Sequence, residues 1–259
     1  MIDKLFHGLE LTERAISPII GLFEKPVLKK HGSQEYQPVF IVGAPRSGST
    51  LLYQILTSRL NLLYINNLVH IFNHNIYFGF WLSQKLLKNP HNCFSSRFGN
   101  TFHCGLKGPS ECGQFWYRWL PHKHFIDQGE LTDAQKTKIS RNINAVMNRF
   151  KKPLLFKNLT LSLRMRIIYE IAPNAKFIFV KRNPLYNAQS IIKAREKNTG
   201  LENWWSLEPP NKNELEKLSP EEQVIKQIYY VEKQIVNDAK QFPKENLITL
   251  NYEDLCNDY

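Results

Sequence analysis

The stretch "IVGAPRSGST", residues 41–50, decides how this chain folds. Just before it, "PVFIVG" (38–43) is a β-branched run that opens on a proline and closes on a glycine, the pattern of a buried strand. Just after it, "STLLYQILTSRL" (49–60) carries apolar residues at helical spacing. Strand, glycine turn and helix in that order gather backbone N–H groups and the positive end of a helix dipole at one spot, which cradles phosphate oxygens. Gly43, Gly48, Ser49 and Thr50 stand where a triphosphate-binding loop has its glycines and hydroxyls. One part is different. The position between Gly48 and Thr50, where a kinase or ATPase needs lysine for the β/γ-phosphates, holds Ser49, and the cation sits three residues earlier as Arg46. Losing that lysine removes a charge-assisted contact worth about 1.5–3 kcal/mol, which disfavours ordinary ATP chemistry. A guanidinium inside the turn offers a fixed fork of donors, suited to an oxyanion whose charge grows during transfer.

Three further strands are expected, at "PLLFKN" (153–158), "AKFIFVKR" (175–182) and "NLITLN" (246–251). Between them come "TLSLRMRIIYEIAP", a helix stopped by Pro173, a helix opened by Pro184 at its first turn, and another near 221–240. Strands alternating with helices imply an α/β fold with a central parallel sheet flanked by helices. Residues 1–35 are expected to form an N-terminal helical extension packed on the core. Residues 36–259 then form a single domain with a helical, aromatic-rich insertion at about 61–150, loop-like near 89–114.

The chain has 259 residues, of which 42% are hydrophobic, enough for a packed core. Its formal net charge of +11 points to an anionic ligand, a nucleic acid or an acidic membrane surface. The basic residues come as scattered pairs such as Lys29-Lys30 and Lys151-Lys152, and no nucleic-acid module is visible, so a specific nucleic acid is not the expected partner. No stretch approaches a transmembrane length and no leader pattern opens the chain, so a cytoplasmic, reducing setting is expected. Cys93, Cys104, Cys112 and Cys256 form no CxxC pair. His91, Cys93, His103, Cys104, Cys112, His122 and His124 include the ligand types zinc favours, but at no standard spacing, and no metal is expected.

A second anion grip lies in "VKRNPLYNAQS" (180–190), with Arg182 at a strand's end and Ser190 eight residues on, in the next helix. "GAPRSGSTLL" followed at a distance by "RNPxxxxxS" resembles the sulfotransferases that use 3′-phosphoadenylyl sulfate (PAPS). The nearest likeness is to the tyrosylprotein-type enzymes and a bacterial branch with a similar loop. "LLFKN" before "PNAKF", and "LITLNYEDL", resemble further segments of that family, so the likeness spans residues 38–255. It implies a P-loop-like sulfotransferase fold and transfer of a sulfuryl group to a hydroxyl or amine, with release of adenosine 3′,5′-bisphosphate. By that likeness Arg46, Ser47, Gly48, Ser49 and Thr50 bind the donor's 5′ end, Arg182 and Ser190 bind its 3′-phosphate, and Lys157 takes the position of a catalytic lysine. The acceptor, whether carbohydrate, lipid, peptide or small molecule, stays open. Relatives usually continue beyond a turn like "YEDLCNDY" with a helix and often a basic loop, so either the chain is truncated or that 3′-phosphate contact is absent.

Transfer to an alcohol usually needs a base for its proton. About twenty residues past the loop, the tyrosylprotein-type enzymes carry a glutamate; this chain has Asn66 and Asn67, and an amide cannot serve. Glu111, in "GPSECGQFWYRW", is the first candidate and His70 the second. The alternatives to a sulfotransferase are a catalytically silent nucleotide- or polyanion-binding protein and a P-loop kinase.

Overall fold

The computed structural model describes residues 2–30, 33, 35–120 and 125–257. Its strands are β1 (Val39–Gly43), β2 (Leu63–Tyr64), β3 (Leu154–Lys157), β4 (Lys176–Lys181) and β5 (Leu247–Asn251). They form one sheet in the order β2-β3-β1-β4-β5, with the glycine-loop strand in the middle. β2 and β3 run parallel with Leu63 opposite Leu154, and β4 and β5 run parallel from Phe177–Leu247 to Lys181–Asn251. The expected α/β fold with a parallel sheet flanked by helices is the one observed. β2 was not anticipated, because two residues are too few to show a period.

Two compact units emerge from the packing. The first gathers the described residues of Met1–Val39, Tyr53–Pro121 and Leu131–Phe156. Its helices are α1 (Ile2–Lys30), most of α2 (Ser49–Arg59), α3 (Asn67–Ile71), α4 (Ile76–Leu86), α5 (Gly113–Tyr117) and α6 (Asp133–Phe150). α1 packs against α3, α4 and α6 as one continuous helix, although Pro18 and Pro26 each remove an internal hydrogen bond. α6 opens with a reciprocal cap between Thr132 and Gln135.

The loop-like interval near 89–114 is stapled. Cys93 and Cys104 are joined in a disulfide, whereas the sequence led us to expect reduced thiols. The pairing has a local cause: Arg97 and Asn100 exchange both backbone hydrogen bonds (2.8 and 3.0 Å) across a tight turn that folds the segment back on itself. Of the zinc-type residues, Cys93, His103 and Cys104 do cluster within 4.8 Å, but the two sulfurs are bonded to each other. His91 pairs instead with Thr57, Cys112 is buried, and His122 and His124 fall outside the described residues.

The second unit gathers the described residues of Phe40–Leu52, His122–Glu130 and Lys157–Tyr259. Its helices are α7 (Met165–Ile171), α8 (Pro184–Asn198), α9 (Lys212–Leu215), α10 (Pro220–Ala239) and α11 (Tyr252–Asn257). α10 opens with a Ser219–Glu222 capping box and buries Val224, Ile228, Val231 and Ile235, one face at helical spacing. α8 starts at Pro184, as its sequence requires, behind an Asn183 cap. The helix expected before Pro173 is split into a 3₁₀ turn (Leu159–Leu163) and α7. Asn158 is the cause at its start, since its side chain accepts the Thr160 N–H at 3.1 Å and tightens the turn.

Candidate active site

Every residue assigned above to the donor falls in the second unit. At the end of β1, Ser162 Oγ accepts the Gly43 N–H and donates to the Gly43 carbonyl, both at 3.0 Å. The chain then turns sharply through Arg46 (φ 63°) and Gly48 (φ 95°) before α2 begins at Ser49. Gly48 has no substitute here. Its φ is left-handed, and a Cβ on it would overlap the Tyr252 ring at the start of α11. α2 has no acid in its first turn, so its dipole is left for an external anion.

The two anion grips meet. Arg46 Nε donates to Ser190 Oγ at 3.0 Å, and Arg182 Nη1 donates to the Arg46 carbonyl at 3.1 Å. The Arg182 guanidinium lies 4.6 Å from the centre of the Tyr252 ring, which props it from one side. Burial, and then the neighbouring Arg182 charge, hold the Arg46 pKa below the ordinary arginine value. Two cations kept this close favour a multiply charged anion. Polar atoms are also left over: Ser47 Oγ and Arg182 Nε are buried without a hydrogen-bond partner, as are both amide atoms of Asn187, one helical turn before Ser190. Buried polar groups without partners are rare in folded proteins, and a bound ligand is one way their bonding is completed. These residues therefore fit a multiply charged anion.

Lys157 ends β3 and is only 4% exposed, so it is not a strand-end lysine trailing in solvent. Ser49 is buried and Thr50 half-buried in the first turn of α2.

The candidate bases belong to the first unit. Asn66 caps α3 through a bond from the Val69 N–H (2.9 Å) and also reaches Ser83, while Asn67 holds the carbonyls of Thr101 and Gly105. Both asparagines are thus structural. His70 is buried, with Nδ1 2.7 Å from Ser110 Oγ. Its Nε2 lies 2.9 Å from Glu10 Oε1, close enough for an ion pair but off the line a hydrogen bond needs. Glu111 is half-buried, follows Ser110 directly and precedes Cys112, whose left-handed backbone (φ 40°) starts α5. The tip of the disulfide-closed turn rests on it: a Cβ on Gly99 would overlap Glu111 Oε1.

Sequence reasoning missed Ser162, Asn187 and Tyr252. Each acts at a distance or by being unsatisfied, and no motif spacing marks either property.

With this geometry in place, comparison with known proteins identifies the family: the sulfotransferase family profile matches residues 38–259. The chain belongs to the sulfotransferase family. The chain is 24% identical over 188 residues to the omega-hydroxy-beta-dihydromenaquinone-9 sulfotransferases Stf3 of Mycobacterium bovis and Mycobacterium tuberculosis. The match covers 65% of this chain and 48% of those proteins, so the chain spans about half the length of the curated relatives it matches. Among solved structures it resembles sulfotransferase STF9 from Mycobacterium avium (TM-score 0.56, 14% identity, 92% of this chain and 64% of that one). It also resembles sulfotransferase STF1 from Mycobacterium tuberculosis (TM-score 0.55, 12% identity, 100% of this chain and 73% of that one). At such identities the structural likeness supports the fold alone.

Proposed function

We propose that this sulfotransferase takes its sulfuryl group from PAPS and passes it to a hydroxyl or amine acceptor by in-line displacement. One observation carries the reading: Arg46, Ser190 and Arg182 form a single bonded cluster beside the Gly43–Thr50 turn. Motifs 136 residues apart thereby become one doubly cationic site. When bound, PAPS supplies an activated sulfuryl group on a phosphate leaving group.

The chain's own residues do the rest. Arg182 and Ser190 hold the 3′-phosphate, while the Ser47 hydroxyl, the N–H groups of Gly48, Ser49 and Thr50 and the α2 dipole hold the 5′ end. Arg46 and Lys157 neutralise charge that builds on the leaving oxygen, the role a metal plays in phosphoryl transfer. Glu111 removes the acceptor's proton. His70, engaged through Ser110, positions the segment that bears Glu111 more readily than it serves as a base itself.

Calorimetry with adenosine 3′,5′-bisphosphate and, separately, with Mg-ATP tests the donor. Binding of the bisphosphate alone supports the reading; a preference for Mg-ATP would turn it toward a kinase. Binding with no transfer to any acceptor would leave a silent nucleotide-binding protein. A screen with labelled donor then identifies the acceptor, starting with a hydroxylated isoprenoid, given the name of the matched relatives. The cytoplasmic setting also belongs to this reading, and Cys93–Cys104 tests it, because disulfides are rare in reducing compartments. Alkylation under denaturing conditions at cell lysis should label all four cysteines if the setting is cytoplasmic and reducing, and only Cys112 and Cys256 if the disulfide persists.

A further inference from the structure

Helix α1 is built inside out. An ordinary surface helix turns its apolar stripe to the core and its charges to water. In α1 the acids turn inward: Glu13 and Glu24 are 2% and 5% exposed, and Glu10 is half-buried. They find polar partners there. Glu10 meets His70 and Glu13 meets His74, each at 2.9 Å, while Glu24 accepts from the Phe78 N–H (2.7 Å) and from Asn75 Nδ2 (2.8 Å).

The outer face is left with what a surface helix normally hides. Leu5, Leu9, Ile16, Ile19, Leu22 and Phe23 are 40% to 75% exposed. Most fall at steps of three or four residues, so they form one stripe along a helix of 29 residues, roughly 43 Å long. Among the described side chains of α1, the exposed formal charges are Arg14, Lys25, Lys29 and Lys30, all positive. On α4, Trp81 is also partly exposed, with Lys85 Nζ 5.2 Å from its ring. Phe23 and Trp81 help wall a cavity of about 380 Å³, whose lining also includes Ile20, Tyr77 and Phe78.

We propose that α1 seats the protein on an anionic lipid bilayer, lying flat at the interface. The apolar stripe enters the headgroup–acyl boundary, and Arg14, Lys25, Lys29 and Lys30 meet the lipid phosphates. Trp81 and Tyr77 sit at headgroup depth, where aromatic rings with a polar edge are favoured. The net charge of +11 draws the whole molecule to such a surface. Among the described residues no helix is long and apolar enough to cross a membrane, which fits lying on the bilayer rather than spanning it. Two copies meeting through this face would bring cations together, with no exposed acid among the described side chains of α1 to pair them. The inference does not depend on the donor or the acceptor.

The test is co-sedimentation of the full chain with vesicles of mixed phosphatidylglycerol and phosphatidylcholine, and with phosphatidylcholine alone. Strong partitioning to the anionic vesicles is expected, falling steeply at about 0.5 M salt. The double variant Ile19→Glu/Phe23→Glu, checked for an intact fold by circular dichroism, should lose at least about tenfold in partitioning. Lys25→Gln and Lys29→Gln should each cost about fivefold on anionic vesicles. No binding to anionic vesicles at low salt would overturn the proposal, as would wild-type partitioning by the acidic double variant. Light scattering supplies the remaining outcome: a wild-type dimer that this variant splits into monomers would assign the stripe to self-association instead.

Discussion

Arg46 holds Ser190 by its side chain and Arg182 by its carbonyl, so its backbone and guanidinium serve different partners. Arg182→Ala should therefore weaken binding of adenosine 3′,5′-bisphosphate about 10- to 100-fold by calorimetry, because a charge-assisted contact of about 1.5–3 kcal/mol is lost. Gly48→Ala should be at least as damaging, since the added methyl meets both a left-handed backbone and the Tyr252 ring. Glu111→Gln should separate the two halves of the reading: turnover falls about 10²- to 10⁴-fold while bisphosphate affinity stays at the wild-type value. Near-normal turnover in that variant would remove Glu111 as the base. Arg46, Gly48, Arg182 and Ser190 were legible because each is set by local spacing around a turn or a strand end. Tyr252 was not, since it acts on a glycine roughly two hundred residues away through shape alone.

At the scale of elements, α7 and α10 are clamped by Arg166, which donates to Asp238 at 2.7 Å and to Asp127 at 3.0 Å. Burial outweighs the Arg166 charge and pushes the Asp238 pKa up to about 6 from an ordinary 3.8. A carboxyl raised in the folded state stabilises the fold below its unfolded pKa, and that stability is lost as pH rises through the folded value. Up to about 3 kcal/mol should thus disappear between about pH 4 and pH 6. In chemical denaturation, Asp238→Asn should gain on wild type across that window and run parallel to it above. The disulfide-closed turn invites a second measurement. Reducing Cys93–Cys104 frees a short loop worth about 2–3 kcal/mol and loosens the Gly99 contact with Glu111. Turnover should drop more than donor affinity does. Strands and capped helices were readable wherever period or cap chemistry was local, as in α8 and α10. The staple was not, because four cysteines without a pattern say nothing about which two meet, and the 3₁₀ turn ahead of α7 opens on an Asn158 side chain competing for backbone bonds.

For the whole molecule, α/β alternation in the sequence was enough for a parallel sheet, while the order β2-β3-β1-β4-β5 came only with the fold. The inward acids of α1 were hidden in the same way, since a helical period does not say which face meets the core. A ligand that binds only the folded chain stabilises it by mass action, by about 2.7 kcal/mol at a hundred times its Kd. Adenosine 3′,5′-bisphosphate should raise the melting temperature accordingly, and Arg182→Ala should cut that stabilisation to about 0.4–1.4 kcal/mol at the same concentration.

The Tyr252 ring beneath Gly48 also has a consequence for biosynthesis. The turn proposed to hold the donor is translated early, but the ring packed against it emerges only after roughly two hundred more residues. At about 5–20 residues per second, that leaves some 10–40 seconds in which a nascent chain carries an unfinished pocket. Ribosome-bound chains arrested before Tyr252 should ignore the nucleotide, and competence should arrive abruptly once that residue clears the exit tunnel.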